Sequence, residues 1–185
     1  MIESWSNFYL LIGSAAAALI GLLFVVTTLT AGRDRSSVER GTRLFTSPIV
    51  FHLALIVVLS GAAMAPTLSA KAFGLIGAVG AAVGAVAAVR IATGIHRAPP
   101  GLTVEWFDTG WYGIAPAALY LLLLGSSAAV ATGRPWGATA VAAVLMGVLL
   151  VSIHNAWDLV TFLAPKADAG PGAGGGAEEP RAPDH

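Results

Sequence analysis

The chain contains no cysteine among its 185 residues, and charged residues make up only 11% of it. Without cysteine it forms no disulfide and offers no thiolate to zinc or to an iron–sulfur cluster. Basic and acidic residues balance at 10 of each, so the formal net charge is zero. Because no excess of basic residues is present to neutralise phosphates, the composition argues against nucleic acid as a partner.

Long apolar runs take the place of these missing groups, and hydrophobic residues reach 56% of the sequence. Roughly 20 apolar residues form a helix that crosses the hydrocarbon core of a bilayer. Within lipid each backbone polar group must be paired inside its own segment, so each run should be a helix. The predicted fold class is therefore all-α, a polytopic membrane protein built as a bundle of five transmembrane helices.

The apolar runs also set the domain organisation. The five predicted helices cover about residues 8–29, 49–70, 73–93, 111–131 and 138–163. They form one transmembrane domain over residues 1–164. The segment 165–185 is rich in glycine and proline, which predicts a disordered tail.

Basic residues are distributed unequally between the predicted loops. Loops two and four hold only Lys71 and Arg134, whereas the other lysines and arginines lie in or beside loops one and three or in the tail. Loops rich in lysine and arginine face the cytoplasm. We therefore expect the N-terminus outside and the C-terminus inside. No basic segment precedes the first apolar run, so we do not expect a cleaved signal peptide.

Local signals mark the boundaries of helix two. Ser47 followed by Pro48 is typical of a helix start, with proline at the first helical position. Ser36 and Glu39 have the spacing of a capping box, which predicts a short interfacial helix in loop one. Pro66 falls inside predicted helix two, where we expect it to kink the helix.

Small residues recur at four-residue spacing in two helices. Helix one has Gly13, Ala17 and Gly21, and helix three has Gly80 and Gly84. This spacing lets membrane helices approach closely. We expect these faces to pack inside the bundle; the alternative is contact with a second copy or with another membrane protein.

The few polar residues within the apolar runs are the candidates for chemistry. His154 and Asp158 are four residues apart, so they share one face of helix five, and His52 lies near the start of helix two. Two histidines and a carboxylate can hold a divalent transition metal or relay protons. The alternative is that these side chains only join helices by hydrogen bonds.

Further polar residues lie close to this group in the predicted topology. Asn155 follows His154 in helix five, and the predicted cytoplasmic loop three brings His96, Glu105 and Asp108 to the same membrane face. They are accessory candidates for the same site. For Asp108 the alternative role is to cap helix four.

Two helices carry a resemblance to known proteins. Residues 8–25, FYLLIGSAAAALIGLLFV, resemble the first helix of small uncharacterised bacterial integral membrane proteins, and the run NAWDLV at 155–160 resembles their last helix. The resemblance implies a bacterial inner-membrane protein. It brings no known activity, cofactor or site with it.

Three functions remain open at this stage. The first is a non-catalytic accessory or interaction subunit in the inner membrane, whose polar residues only hold the core together. The second is a transporter or a proton- or metal-handling protein that uses His52, His154 and Asp158. The third is a membrane-embedded metalloenzyme that acts on a lipid-like substrate. Convergence of those three residues around one cavity would favour the second or third function.

Overall fold

The computed structural model describes residues 5–30, 35–96 and 110–163, with side chains at 5–29, 48–90 and 110–161. Within these ranges every regular element is a helix and none is a β-strand, which confirms the all-α class. A π-helical turn at Gly110–Ile114 leads directly into the fourth α-helix. The α-helices are α1 (Ser6–Thr30), α2 (Arg35–Met64), α3 (Ala70–His96), α4 (Ala115–Ala131) and α5 (Gly137–Leu163).

Four helical segments of the described chain are long and apolar enough to cross a membrane. They are Ser6–Leu29, Ala70–Arg90, Gly110–Ala131 and Gly137–Thr161, and Pro48–Met64 is a shorter apolar helix.

Tryptophans lie near both ends of α5. Trp136 precedes the first residue of the helix, Trp157 lies in its last two turns, and both are largely exposed. The helix rise between them is about 31 Å, which matches the hydrocarbon thickness of a bilayer. Exposed tryptophans at this separation have the spacing of two interfacial belts.

Helices α2, α3, α4 and α5 form a closed ring in which each helix packs against the next, and α5 closes the ring on α2. The most extensive contact joins α3 to α4. Helix α1 lies outside this ring, mainly against α2 and less against α5. The core is mainly aliphatic, with fully buried residues such as Leu53, Ile56, Leu123 and Leu145, and it also holds the rings of Phe73 and Tyr120.

Contacts between helix termini show how the helices alternate in direction. The ring of Tyr9, near the start of α1, lies 6.1 Å from that of Phe73, near the start of α3. Gly74 of α3 lies against Ser127, near the end of α4. We call the end of the bundle that holds Tyr9, Phe73 and Gly74 the capped end. The opposite end, which holds the π-helical turn and the last turns of α5, is the polar end.

Both boundaries of helix two differ between the sequence prediction and the structure. Instead of starting at Ser47 and Pro48, α2 begins at Arg35 and runs through Pro48, so the helix predicted near Ser36 is part of α2. Instead of reaching residue 70, α2 ends at Met64, and Pro66 lies in a turn rather than at a kink. Proline lacks a backbone donor and disfavours helical geometry in the residue before it, so a helix ends there readily.

Short, well-satisfied turns close the capped end. Ser69 precedes α3, and its hydroxyl oxygen accepts a hydrogen bond from the Ala72 N–H at 3.2 Å, as an N-cap does. After α4, Gly133 has a φ of +73°, and the Arg134 N–H donates to the Ala129 carbonyl at 2.8 Å. This pattern is a Schellman motif, which ends α4 at a glycine. The predicted tail 165–185 lies outside the described residues.

Candidate functional site

His154 and Asp158 lie together at the polar end, one turn apart on α5. The His154 Nε2 and Asp158 Oδ2 atoms are 3.4 Å apart, and the two side chains are 36% and 43% exposed. This distance exceeds that of an ordinary hydrogen bond. Nε2 is covered from solvent and makes no hydrogen bond within the described structure. The pair therefore lies within ion-pair distance on one face of α5 without a completed hydrogen bond.

The imidazole of His154 is held in place from the side by Trp111. The two ring centroids are 4.2 Å apart with an interplanar angle of 37°. Trp111 belongs to the π-helical turn, so this contact joins the end of α5 to the start of α4. This close, tilted contact with a large aromatic ring restricts the histidine to few orientations.

Asn155 fastens the same two elements to each other. Its side-chain Nδ2 donates a hydrogen bond to the Trp111 carbonyl at 3.3 Å. Its backbone carbonyl accepts a hydrogen bond from the Tyr112 hydroxyl at 3.4 Å. The Asn155 side chain is 1% exposed, and its Oδ1 makes no hydrogen bond within the described residues. A buried amide supplies backbone partners at a turn where regular α-helical bonding is interrupted.

His52 lies apart from this group. It projects from α2 into a crevice that it shares with Pro116, Leu119, Tyr120, Val148 and Val151. The space between these side chains has no room for a water-sized molecule. The His52 ring meets the Tyr120 ring edge-on, with centroids 5.6 Å apart. His52 is therefore packed in an apolar wall.

The structure does not gather the predicted metal ligands. Among the described residues, no three histidine, aspartate or glutamate side chains lie close enough to hold a metal ion together. His154 meets Asp158, and His52 meets neither of them. Of the accessory candidates, Asn155 belongs to the site. His96 is described only as the last backbone residue of α3, and Glu105 and Asp108 lie outside the described residues.

Several buried polar groups were not singled out by the sequence patterns. Outside the polar end, the described side chains with buried atoms that make no hydrogen bond include those of Tyr9, Ser60, Tyr120 and Ser127. Ser60 lies against Gly13, Ser127 against Gly77, and Tyr120 against Gly84. A polar residue inside a long apolar run was the available sequence signal. Its partner glycine on another helix was not readable from the sequence.

Trp111 and Tyr112 are the residues of the site that sequence reasoning missed. Their aromatic character at a predicted membrane edge favoured a role as interfacial anchors. Their contacts with His154 and Asn155 depend on how α4 and α5 pack. Residues more than 40 positions apart in the chain give no local sign of such a contact.

The chain matches no protein-family model, no curated protein and no solved structure. The resemblance of its first and last helices to small bacterial membrane proteins therefore stays a prediction.

Proposed function

We propose that this protein is a non-catalytic accessory subunit of a bacterial inner membrane, which binds another membrane protein through the outer side of α1. The five α-helices cross the bilayer in this proposal, with the N-terminus outside and the C-terminus inside. Lys71 and Arg134 then face outward at the capped end, whereas Arg90 lies toward the cytoplasmic polar end. This arrangement follows the distribution of basic residues.

One observation carries the non-catalytic part of the proposal. Asn155, the most deeply buried polar residue of the site, directs its amide to the backbone of the π-helical turn. His52 faces an apolar crevice without room for water. Asn155 thus joins α5 to the π-helical turn, as hydrogen bonds between membrane helices do, and His52 is packed among apolar side chains.

The position of α1 supports the choice of docking side. Only 17% of the residues in its span are buried, against 56% in the span of α5. Of the two small-residue faces, the glycines of α3 are already packed against α2 and α4. On α1, Ala17 and Gly21 are exposed, and nothing lies within 4 Å of a Cβ added at Gly21. A partner helix can approach α1 closely at this point.

The proposal is tested by photo-crosslinking in bacterial membranes. A photoreactive residue replaces Leu22, which is 61% exposed beside Gly21, and in a matched control it replaces Val83, which is 52% exposed on α3. We expect a discrete adduct with one membrane protein from position 22 and none from position 83. A dimer of this chain from position 22 would show self-association instead. Equal labelling or no labelling at the two positions would contradict docking through α1.

A further inference from the structure

We infer that His154 and Asp158 form a two-ligand site for a divalent transition-metal ion of the Zn²⁺ class, at the polar end of α5. This inference does not depend on the accessory role proposed above. It starts from the two donor atoms. Nε2 and Oδ2 lie 3.4 Å apart without forming a hydrogen bond. Zinc bonds of 2.0–2.2 Å in tetrahedral geometry place neighbouring donor atoms about 3.3–3.5 Å apart. The spacing thus suits two ligands of one ion.

The surroundings of the pair favour metal binding in a second way. The Trp111 ring lies in a close, tilted contact with the imidazole, and Asn155 donates a hydrogen bond to the Trp111 carbonyl. The ring is therefore oriented before any ion arrives, which is the role that supporting residues play around metal-binding histidines. Sites with an oriented ligand lose less conformational entropy when the ion binds.

The exposure of the site and the chemical type of its two ligands indicate which class of ion it would bind. Asp158 is 43% exposed, and its neighbour Trp157 lies at the predicted membrane boundary. Because Nε2 is covered from solvent, binding requires the exposed Asp158 carboxylate to move outward, and water would complete the coordination of the ion. One carboxylate and one neutral imidazole suit Zn²⁺, Cu²⁺ or Ni²⁺, whereas Mg²⁺ and Ca²⁺ prefer sites made of oxygen ligands.

The test measures Zn²⁺ binding to the purified full-length protein in lipid nanodiscs by equilibrium dialysis and calorimetry. We expect one Zn²⁺ per chain, with binding weakened more than about tenfold in His154→Ala and in Asp158→Asn, because each removes one of two protein ligands. Trp111→Leu should weaken binding several-fold without changing the stoichiometry, since it removes only the support of the ring. A hundredfold excess of Mg²⁺ should not displace Zn²⁺.

The matched control is Trp157→Phe, which changes an exposed residue on the same turn without touching either ligand. Its Zn²⁺ affinity should equal that of the unchanged protein. Thermal unfolding and gel filtration of every variant establish that the fold is intact. Zn²⁺ binding that survives in both His154→Ala and Asp158→Asn would overturn the inference. The absence of binding to the unchanged protein at about 1 mM Zn²⁺ would overturn it as well.

Discussion

The contact between α3 and α4 and the outer side of α1 carry similar small residues but differ in what covers them. On α3, the positions of Gly77 and Gly84 are filled by Ser127 and Tyr120 of α4. On α1, nothing lies within 4 Å of a Cβ added at Gly21. On α1 the small residues are covered at Gly13, which packs against Ser60 of α2, and open at Gly21, whereas the glycines of α3 from Gly74 to Gly84 are all covered. Small-residue spacing therefore shows where helices can approach, and the tertiary structure decides where they do.

The largest expected effect comes from adding a side chain to each surface. A Cβ on Gly74 would lie 2.6 Å from the Ser127 carbonyl oxygen and 2.8 Å from the Ala131 backbone nitrogen. Backbone atoms cannot move aside as the end of a flexible side chain can. We expect Gly74→Val to lower the free energy of unfolding by about 3 kcal/mol. The measurement is denaturant-induced unfolding in detergent, followed by circular dichroism.

The matched variant is Gly21→Val, which makes the same change on the open surface of α1. We expect its unfolding free energy to stay within about 0.5 kcal/mol of that of the unchanged protein. Equal losses in the two variants would mean that α1 is as closely packed as α3. The comparison between the two helices would then fail.

A second effect, of intermediate size, concerns the polar end. Asn155→Leu keeps a similar side-chain volume but removes the hydrogen bond to the Trp111 carbonyl. We expect a loss of about 1.5 kcal/mol, since the partly buried Trp111 carbonyl loses this donor. Amide hydrogen exchange should rise first in the π-helical turn at residues 110–114, because that turn loses its partner on α5.

Trp157→Leu is the control for this variant, because it removes a large side chain that is 68% exposed on the same helix. Its exchange pattern at residues 110–114 should not change. If Asn155→Leu left exchange at those residues unaltered, Asn155 would not be what holds the turn.

The smallest expected effect tests the turn after α4. Gly133 has a φ of +73°, a backbone conformation that costs other residues about 1–2 kcal/mol. Gly133→Ala should therefore destabilise the protein by about 1 kcal/mol. Gly125 lies within α4 with open space around it, so Gly125→Ala should be neutral or slightly stabilising. Thermal unfolding curves should show a lower midpoint for Gly133→Ala and an unchanged or slightly higher midpoint for Gly125→Ala, and a shared downward shift would contradict this assignment.

His52 and His154 show which features of the site could be predicted from the sequence and which could not. His154 and Asp158 were predicted to share a helix face, and the structure places them 3.4 Å apart. That prediction depended only on the period of an α-helix. His52 was grouped with them because it lies near the same end of its helix. The rotation of α2 about its axis turns His52 toward Tyr120 instead, and no local pattern encodes that rotation.

Helix two shows, for the fold, which features a local sequence pattern predicts and which it does not. The apolar run could be seen in the sequence, but its boundaries depended on two prolines with opposite outcomes. Pro48 lies inside α2, whereas Pro66 follows its end. A serine with capping potential lies near each proline, Ser47 at Pro48 and Ser69 after Pro66, but only Ser69 caps a helix start in the structure.

Apolar composition and run length by themselves determined the all-helical class and predicted five membrane-spanning helices. Among the described residues the structure has four helices of that length, and the helix predicted at 49–70 is the shorter apolar segment Pro48–Met64. Composition and run length determine the class because an apolar segment of membrane-spanning length leaves its backbone no alternative to internal hydrogen bonding. Only the tertiary structure decided which glycines are covered, that His52 and His154 are separate, and that Asn155 holds the π-helical turn. These features depend on the axial rotation and the pairing of helices, which arise from contacts between residues far apart in the chain.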